Sequence, residues 1–106
     1  MLNKGIGGFF KQAQEMQSKM AEMQNELAGK TVEVSTGGGM VQMTANGLNE
    51  VVSVKVDEEL INMKDKAILE DLIAGAVNEL HRKTKELAQE EMTKITGGIK
   101  IPGLFS

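Results

Sequence analysis

The chain has 106 residues, of which 41% are hydrophobic, and this size fits one globular domain covering residues 1–106. It contains no cysteine, which excludes disulfide bonds, thiolate metal sites and thiol catalysis. Its formal net charge of -3 argues against a uniformly basic nucleic-acid binder. No apolar stretch reaches the ~20 residues of a membrane span or forms a signal peptide, so the sequence predicts a cytoplasmic protein with no membrane partner.

The charge is unevenly distributed along the chain. Residues 1–30 carry four lysines and three glutamates, and residues 80–106 carry five basic residues and three glutamates. Residues 31–79 carry three lysines and nine acidic residues. A basic surface is therefore expected only at the two ends of the chain. The only aromatic residues are Phe9, Phe10 and Phe105, which leaves few platforms for stacking on single-stranded bases.

Apolar residues recur at steps of three and four along the first third of the chain. They are Phe9, Ala13, Met16, Met20, Met23 and Leu27. This spacing is typical of a helix with one continuous apolar seam, and the intervening polar residues suit a solvated face. Gly29 is a natural stop signal. The pattern predicts a helix over about residues 7–28.

The next segment is rich in residues that favour strands and is divided by two turn signals. The Gly37-Gly38-Gly39 run and the Asn46-Gly47 pair separate predicted strands at 31–36, 40–46 and 48–56. A glycine loop that cradles phosphate joins a strand to a helix, whereas these glycines lie between two strands. The segment therefore predicts a three-stranded antiparallel meander.

A second helical pattern begins after Asp65, which is suited to cap a helix. Its apolar positions include Leu69, Leu72, Ile73, Ala76, Val77, Leu80, Leu87 and Met92. Gly97-Gly98 ends the pattern, so a long helix is predicted over about residues 65–96, followed by an apolar tail at 97–106. The fold class is α+β.

The relative lengths of these elements predict a homodimer. Helices of ~33 and ~45 Å overhang strands of ~17–30 Å, so part of the apolar seam stays exposed unless a second chain covers it. The candidate interface residues are Met16, Met20, Met23, Val52 and Val54. The order helix–sheet–helix also lets the free ends of both helices, which carry the positive segments, project together.

The sequence offers no catalytic or metal-binding arrangement. His81 is the only histidine, and no nucleophile or carboxylate partner can be assigned to it. Acidic residues near the start of the second helix suit its dipole, and the alternating ligands and central glycine of a calcium loop are missing. We therefore expect a protein that is not an enzyme and needs no metal, cofactor or small-molecule substrate.

Basic residues on the two predicted helices are the candidate contacts for a polyanion. They are Lys4, Lys11 and Lys19 on the first helix and Arg82, Lys83 and Lys85 on the second. Glutamates lie among them, so an ordinary solvated surface of mixed charge is the alternative interpretation. The methionine stripe likewise allows two interpretations, a core or dimer interface, or a groove that holds a peptide or partner protein.

Several local strings, taken in order, resemble a known family. They are the glycine-rich turn into Gly39-Met40-Val41, the Asn46-Gly47 turn, the strand with Val52 and Val54, Leu69-Glu70-Asp71-Leu72-Ile73, Ala76-Val77-Asn78, and Thr96-Gly97-Gly98 with Ile101-Pro102-Gly103. In this order and spacing they make nearly the whole chain similar to the YbaB/EbfC family of bacterial nucleoid-associated proteins.

The resemblance implies a fold and a function. It implies a helix–three strands–helix protomer, a tweezer-shaped homodimer, and binding of duplex DNA with an architectural or regulatory role in the nucleoid. The DNA contacts of the family are attributed to its helical arms, which here carry Lys11, Lys19, Arg82 and Lys83. The competing hypothesis is an interaction protein that holds a peptide or partner in the methionine-rich groove between the arms.

Overall fold

A computed structural model describes residues 2–96 of the chain and the side chains of residues 6–95. Its elements are α1 (Leu2–Gly29), β1 (Thr31–Thr36), β2 (Val41–Asn46), β3 (Val51–Val56), α2 (Glu58–Asn62) and α3 (Lys66–Thr96). The strands form one antiparallel sheet in the order β1-β2-β3. The predicted α+β fold with a three-stranded meander and a long second helix is confirmed. The predicted tail at 97–106 lies outside the described residues.

Two element boundaries differ from the predicted ones by more than one residue, each for a local reason. Helix α1 already begins at Leu2, before the seam that predicted it, in a stretch whose glycines have low helix propensity. Strand β3 begins at Val51 rather than at residue 48, because the preceding residues form a turn. The side-chain oxygen of Asn46 accepts hydrogen bonds from the backbone N–H groups of Leu48 and Glu50, each at 3.0 Å. Asn49 takes a left-handed conformation with φ of 65°.

The short helix α2 was not predicted. Asp57 caps it by accepting the N–H of Glu59 at 2.9 Å, and it has only five residues. A helix of about one turn shows no apolar periodicity, so the sequence pattern gave no sign of it. Its buried residue Leu60 nevertheless belongs to the main core.

The main core lies between the inner face of the sheet and α3. In the strand register, Val34 pairs with Met43, and Met43 pairs with Val54, so these three side chains share one face. Val34 and Met43 are buried. Ala76 and Leu80 of α3 close the core over β1 and β2. Helix α3 therefore supplies most of the cover that the sheet receives within the chain.

Helix α1 lies beside the second half of α3 and runs antiparallel to it. Lys30, just after α1, pairs with Glu91, whereas Lys19, about three turns earlier, borders the same shallow pocket as Ile95 near the end of α3. Every residue from 6 to 19 is exposed, and we call this stretch the arm. The described chain is accordingly elongated, with extents of 74 × 24 × 18 Å. The free ends of α1 and α3 thus point the same way, as the chain order predicted.

Gly47 brings the β2–β3 turn into direct contact with the end of α1. Its N–H donates to the carbonyl oxygen of Leu27 at 2.8 Å. A Cβ atom at this position would lie 2.5 Å from the same oxygen and 2.9 Å from the Leu27 Cα, and both are backbone atoms that cannot rotate away. Only glycine therefore allows α1 to reach the sheet at this point.

Replacing Gly47 by alanine should destabilise the protein. We expect Gly47→Ala to lower the free energy of unfolding by about 1–3 kcal/mol, the usual cost of overpacking, in denaturant titrations at one fixed protomer concentration. Gly75→Ala is the matched control. A Cβ at Gly75 would meet only Thr36 Cγ2 at an ordinary 3.5 Å. Because Gly75 lies inside α3, that change should be neutral or stabilising by up to about 1 kcal/mol. Equal stability of the two variants would contradict the proposed backbone clash.

Candidate nucleic-acid interface

The arm presents two of the predicted basic residues without partners. Lys11 and Lys19 are exposed and make no ion pair or hydrogen bond with any residue in the described part of the chain. Both border a shallow depression on the polar face of α1, together with Glu15 and Glu22. The side chain of Lys4 lies outside the described residues. The arm therefore offers cations that are free to meet an external anion.

The predicted basic residues on α3 differ from each other in their surroundings. Arg82 forms ion pairs with Glu79 and Glu86, the second at 2.6 Å. The hydrogen bond to Glu79 raises the pKa of Arg82, and the same bond lowers the pKa of Glu79. Lys83 is half-buried, and its Nζ donates to the backbone carbonyl of Glu33 at 3.3 Å. Arg82 and Lys83 are therefore already engaged within the chain.

Lys85 is the α3 residue of this group that remains free. It is exposed and has no partner among residues 6–95. The predicted basic set thus divides into free cations, Lys11, Lys19 and Lys85, and engaged ones, Arg82 and Lys83. The partners of Arg82 lie three and four residues away on the same helix, a spacing that sequence can indicate, whereas the acceptor of Lys83 lies on a strand 50 residues away and has no local signal.

A buried carboxylate that the sequence analysis missed connects α1 to α3. Glu91 is only 4% exposed and accepts hydrogen bonds from Lys30 and from Lys94, the latter at 3.2 Å. The hydrogen bond from Lys30 is the main cause of a lowered pKa at Glu91, and the same bond raises the pKa of Lys30. The triad lies beside the apolar cluster of Met23, Leu27 and Met92. Because Lys30 and Glu91 are 61 residues apart, no local pattern reveals the pair.

The triad should make α1 docking sensitive to acid. A carboxylate with a lowered pKa in the folded state contributes stability that is present above its unfolded pKa and lost as the pH falls through the folded pKa. We expect Glu91→Gln to be less stable than the parent at neutral pH in thermal denaturation at a fixed protomer concentration. The difference should shrink as the pH falls below the usual glutamate range, since the parent carboxylate then becomes protonated. A difference that stays constant down to low pH would show that the charge of Glu91 is unimportant.

The predicted interface residues also occupy different environments. Met23 is buried and Met20 half-buried in the cluster that holds α1 on α3, so these two methionines are packed within the chain. Met16 is exposed on the arm. Val52 and Val54 are exposed on β3, at 60% and 49%.

The exposed valines of β3 continue the apolar face of the sheet. Val54 shares its face with the buried Met43, yet α3 lies over β1 and β2 and leaves β3 uncovered except at Val56. A register irregularity at Thr44/Ala45 pairs Ala45 with Val51, which is also about half exposed. Val51 was not predicted as an interface residue, because simple alternation from Val52 and Val54 places it on the opposite face.

His81 has a structural partner in the turn before β3. Its Nδ1 accepts a hydrogen bond from the side-chain amide of Asn49 at 2.5 Å, and Asn49 accepts one from Thr84 at 3.2 Å. These bonds hold the β2–β3 turn against α3. Among residues 2–96, no cluster of histidine and acidic side chains suits a metal ion. None of the helices there is long and apolar enough to cross a bilayer.

Comparison with known proteins identifies the family. The model of the YbaB/EbfC DNA-binding family matches residues 3–99. The chain belongs to this family. YbaB/EbfC proteins are a DNA-binding family and not an enzyme family, in agreement with the expectation that the chain is not an enzyme.

Two relatives within the YbaB/EbfC family illustrate how close the similarity is. A nucleoid-associated protein of Syntrophobacter fumaroxidans is 55% identical over 93 residues, which cover 88% of this chain and 84% of the relative. One from Thermoanaerobacter pseudethanolicus is 48% identical over 100 residues, covering 94% of this chain and 90% of the relative. The crystal structure of HP0035 from Helicobacter pylori has the same fold, with a TM-score of 0.73, 22% identity, and coverage of 86% and 92% of the two chains.

Proposed function

We propose that this YbaB/EbfC protein binds duplex DNA as a homodimer, mainly through phosphate contacts made by its helical arms, with an architectural or regulatory role in the nucleoid. Membership of a DNA-binding family carries this proposal. Both relatives are named as nucleoid-associated proteins, which supports a location in the nucleoid. The free lysines of the arm supply a chemistry suited to phosphate.

The arrangement of charge favours the arms as the DNA-binding surface. Lys11 and Lys19 are eight residues apart, so they are spaced by about 12 Å along the helix axis. The two arms of a dimer would present two such pairs. Residues 31–79 are strongly acidic and would repel the duplex, which confines its approach to the arms. Contacts of this kind position the protein on DNA without reading bases.

The salt dependence of binding tests the phosphate contacts. If a dimer engages about 4–8 phosphates, the logarithm of the affinity should fall against the logarithm of salt concentration with a slope of about -4 to -7. Changing Lys11, Lys19 and Lys85 together to alanine should weaken binding to unrelated duplexes by similar factors and make the slope shallower. Adding Arg82→Ala and Lys83→Ala then shows whether the engaged cations leave their intrachain partners to meet DNA. Fluorescence anisotropy with labelled duplexes at several salt concentrations measures both the affinity and the slope of its salt dependence.

A charge-matched control separates local contacts from net charge. Lys64→Ala with Lys66→Ala removes two positive charges at the start of α3, at the opposite end of that helix from the arm. This pair should lower affinity less than Lys11→Ala with Lys19→Ala. Equal losses would mean that only the total charge matters. Absence of duplex binding at low salt, or binding indifferent to salt, would overturn the proposal.

The uncovered face of β3 is the proposed centre of the dimer interface. Val51, Val52 and Val54 are each about half exposed on an edge strand that has no further strand beside it among the described residues. Complete burial of an exposed valine side chain is worth roughly 1.5–3 kcal/mol, and because these side chains are about half exposed, covering each of them gains about half of that amount on both protomers. Strand β3 also has free backbone groups at its outer edge, which a second β3 can satisfy. Met16 on the arm remains a further proposed contact.

A charge placed on this face should separate the protomers. We expect Val54→Lys to shift sedimentation velocity from dimer to monomer at micromolar concentration, because the ammonium group would be buried without a partner. Ser53→Lys is the matched control, since Ser53 lies on the opposite face of the same strand and pairs with Thr44. That variant should sediment like the parent. A parent that is monomeric and folded at micromolar concentration would refute the homodimer.

A further inference from the structure

The outer edge of β1 is open, although it carries hydrogen-bonding groups. Strand β1 pairs only with β2, and in this register the backbone groups of Val32, Val34 and Thr36 face β2. The backbone groups of Thr31, Glu33 and Ser35 therefore point away from the sheet. The structure confirms this direction, because the carbonyl of Glu33 is the acceptor of Lys83 Nζ.

A groove follows this edge between β1 and α3. Two adjoining depressions of about 470 and 650 Å³ share Glu33 and Lys83 and extend from Thr36 to Gly29 along the sheet. The opposite wall is formed by one side of α3, from Gly75 to Glu90. A six-residue strand is about 20 Å long, so the groove can accommodate an extended segment of similar length.

The groove is lined by more acidic than basic side chains. Its glutamates are Glu33, Glu79, Glu86 and Glu90, and its lysines are Lys30 and Lys83. Lys30 is held by Glu91, and Arg82 pairs with Glu79 and Glu86. The side-chain carboxylates of Glu33 and Glu90 make no hydrogen bond or ion pair with the part of the chain that is described, although Glu90 lies near enough to Lys30 to add to the raised pKa that the hydrogen bond to Glu91 gives that lysine. Lys83 makes no ion pair with the described residues either, because its Nζ is bonded to a neutral carbonyl, so the unpaired side chains of the groove are two carboxylates and one ammonium group and their summed charge is negative.

These charges decide which occupant fits. Nucleic acid is repelled by the unpaired carboxylates. A second copy pairing β1 with β1 would bring one Glu33 close to the other, whereas β3 offers an apolar edge for self-association. An extended peptide can satisfy the open backbone groups, and lysine or arginine side chains on it complement Glu33 and Glu90.

We propose that the β1 edge is a docking site for an extended, lysine- or arginine-rich segment of another protein, which adds to the sheet as a fourth strand. Main-chain hydrogen bonds to Thr31, Glu33 and Ser35 hold the segment, and the glutamates select its charge. In the free protein Lys83 Nζ donates a hydrogen bond to the Glu33 carbonyl, so it competes with the incoming strand for this acceptor. The site is separate from the arm formed by residues 6–19 and from the valine face of β3, so it leaves both available.

Binding of simple peptides to the full chain tests this docking site in the absence of DNA. The probe is a fluorescent, end-blocked heptapeptide that alternates lysine with valine, and the comparison peptide has glutamate in place of lysine. We expect the lysine peptide to bind about tenfold or more tightly at low salt, since several charges differ. It should also slow amide hydrogen exchange at Thr31, Glu33 and Ser35. A lysine peptide with a methyl group on every backbone nitrogen should lose binding, because neither of its edges can donate the strand hydrogen bonds.

Three substitutions separate the backbone contacts from the charges. Ser35→Pro removes an outward N–H without changing charge or the β1–β2 pairing, and should weaken peptide binding about fivefold, while Ser35→Ala should not. Lys83→Ala frees the Glu33 carbonyl and removes a competing cation, so it should strengthen peptide binding severalfold. Circular dichroism reports whether each variant is folded.

Four results would contradict the proposed docking site. Equal binding of the lysine and glutamate peptides, or undiminished binding of the N-methylated peptide, would overturn the proposal even if Ser35→Pro failed to fold. Weaker peptide binding by folded Lys83→Ala would also overturn it. Protection from exchange at Val52 and Val54 instead of β1 would place the peptide on the other edge of the sheet and contradict the assignment.

Discussion

One helix can cover only two neighbouring strands, and this limit shapes the rest of the molecule. An α-helix with its side chains is about 10–12 Å wide, and strands lie about 4.8 Å apart. Helix α3 lies over β1 and β2, so Val51 and Val54 on the inner face of β3 stay at the surface, and only Val56 at the end of that strand packs against the core. Helix α1 does not cover Val51 and Val54, because Gly47 fixes its end beside the β2–β3 turn and the helix then follows α3 outward. The exposed apolar face of β3 and the projecting arm therefore have the same cause, because neither helix covers this part of β3.

The acidic total charge is compatible with DNA binding because the charges are separated in space. The exposed lysines of the arm are separated along the molecule from the acidic residues of α2 and of the first half of α3, while several other cations are used internally. Arg82 balances two glutamates, and Lys30 and Lys94 balance the buried Glu91. Net charge alone thus understates the positive character of the arm. The same internal pairing leaves unpaired carboxylates beside β1, so the two edges of the sheet differ in chemistry.

Predictions from local pattern succeeded wherever a single element carried its own signal. The seam from Phe9 to Leu27 located α1, the alternation after Asn46-Gly47 located β3, and the apolar period after Asp65 located α3. Errors arose where few residues carried the signal. Helix α2 is shorter than two turns, the turn at Leu48–Glu50 depends on one asparagine side chain, and the irregular register beside Ala45 moved Val51 to the inner face. The interface and DNA-contact residues remain proposals.

The sequence by itself determined the two long helices, the meander and the family, because periodicity, turn chemistry and ordered short strings are properties of neighbouring residues. It also determined that only the two ends of the chain carry net positive charge. Only the tertiary structure decided which cations are free and which methionines are packed. Lys83 meets Glu33 across 50 residues and Lys30 meets Glu91 across 61, so neither pair has a local signature. Likewise, Met23 is buried and Met16 exposed on one seam because α3 runs alongside α1 only at the end that Gly47 holds against the sheet.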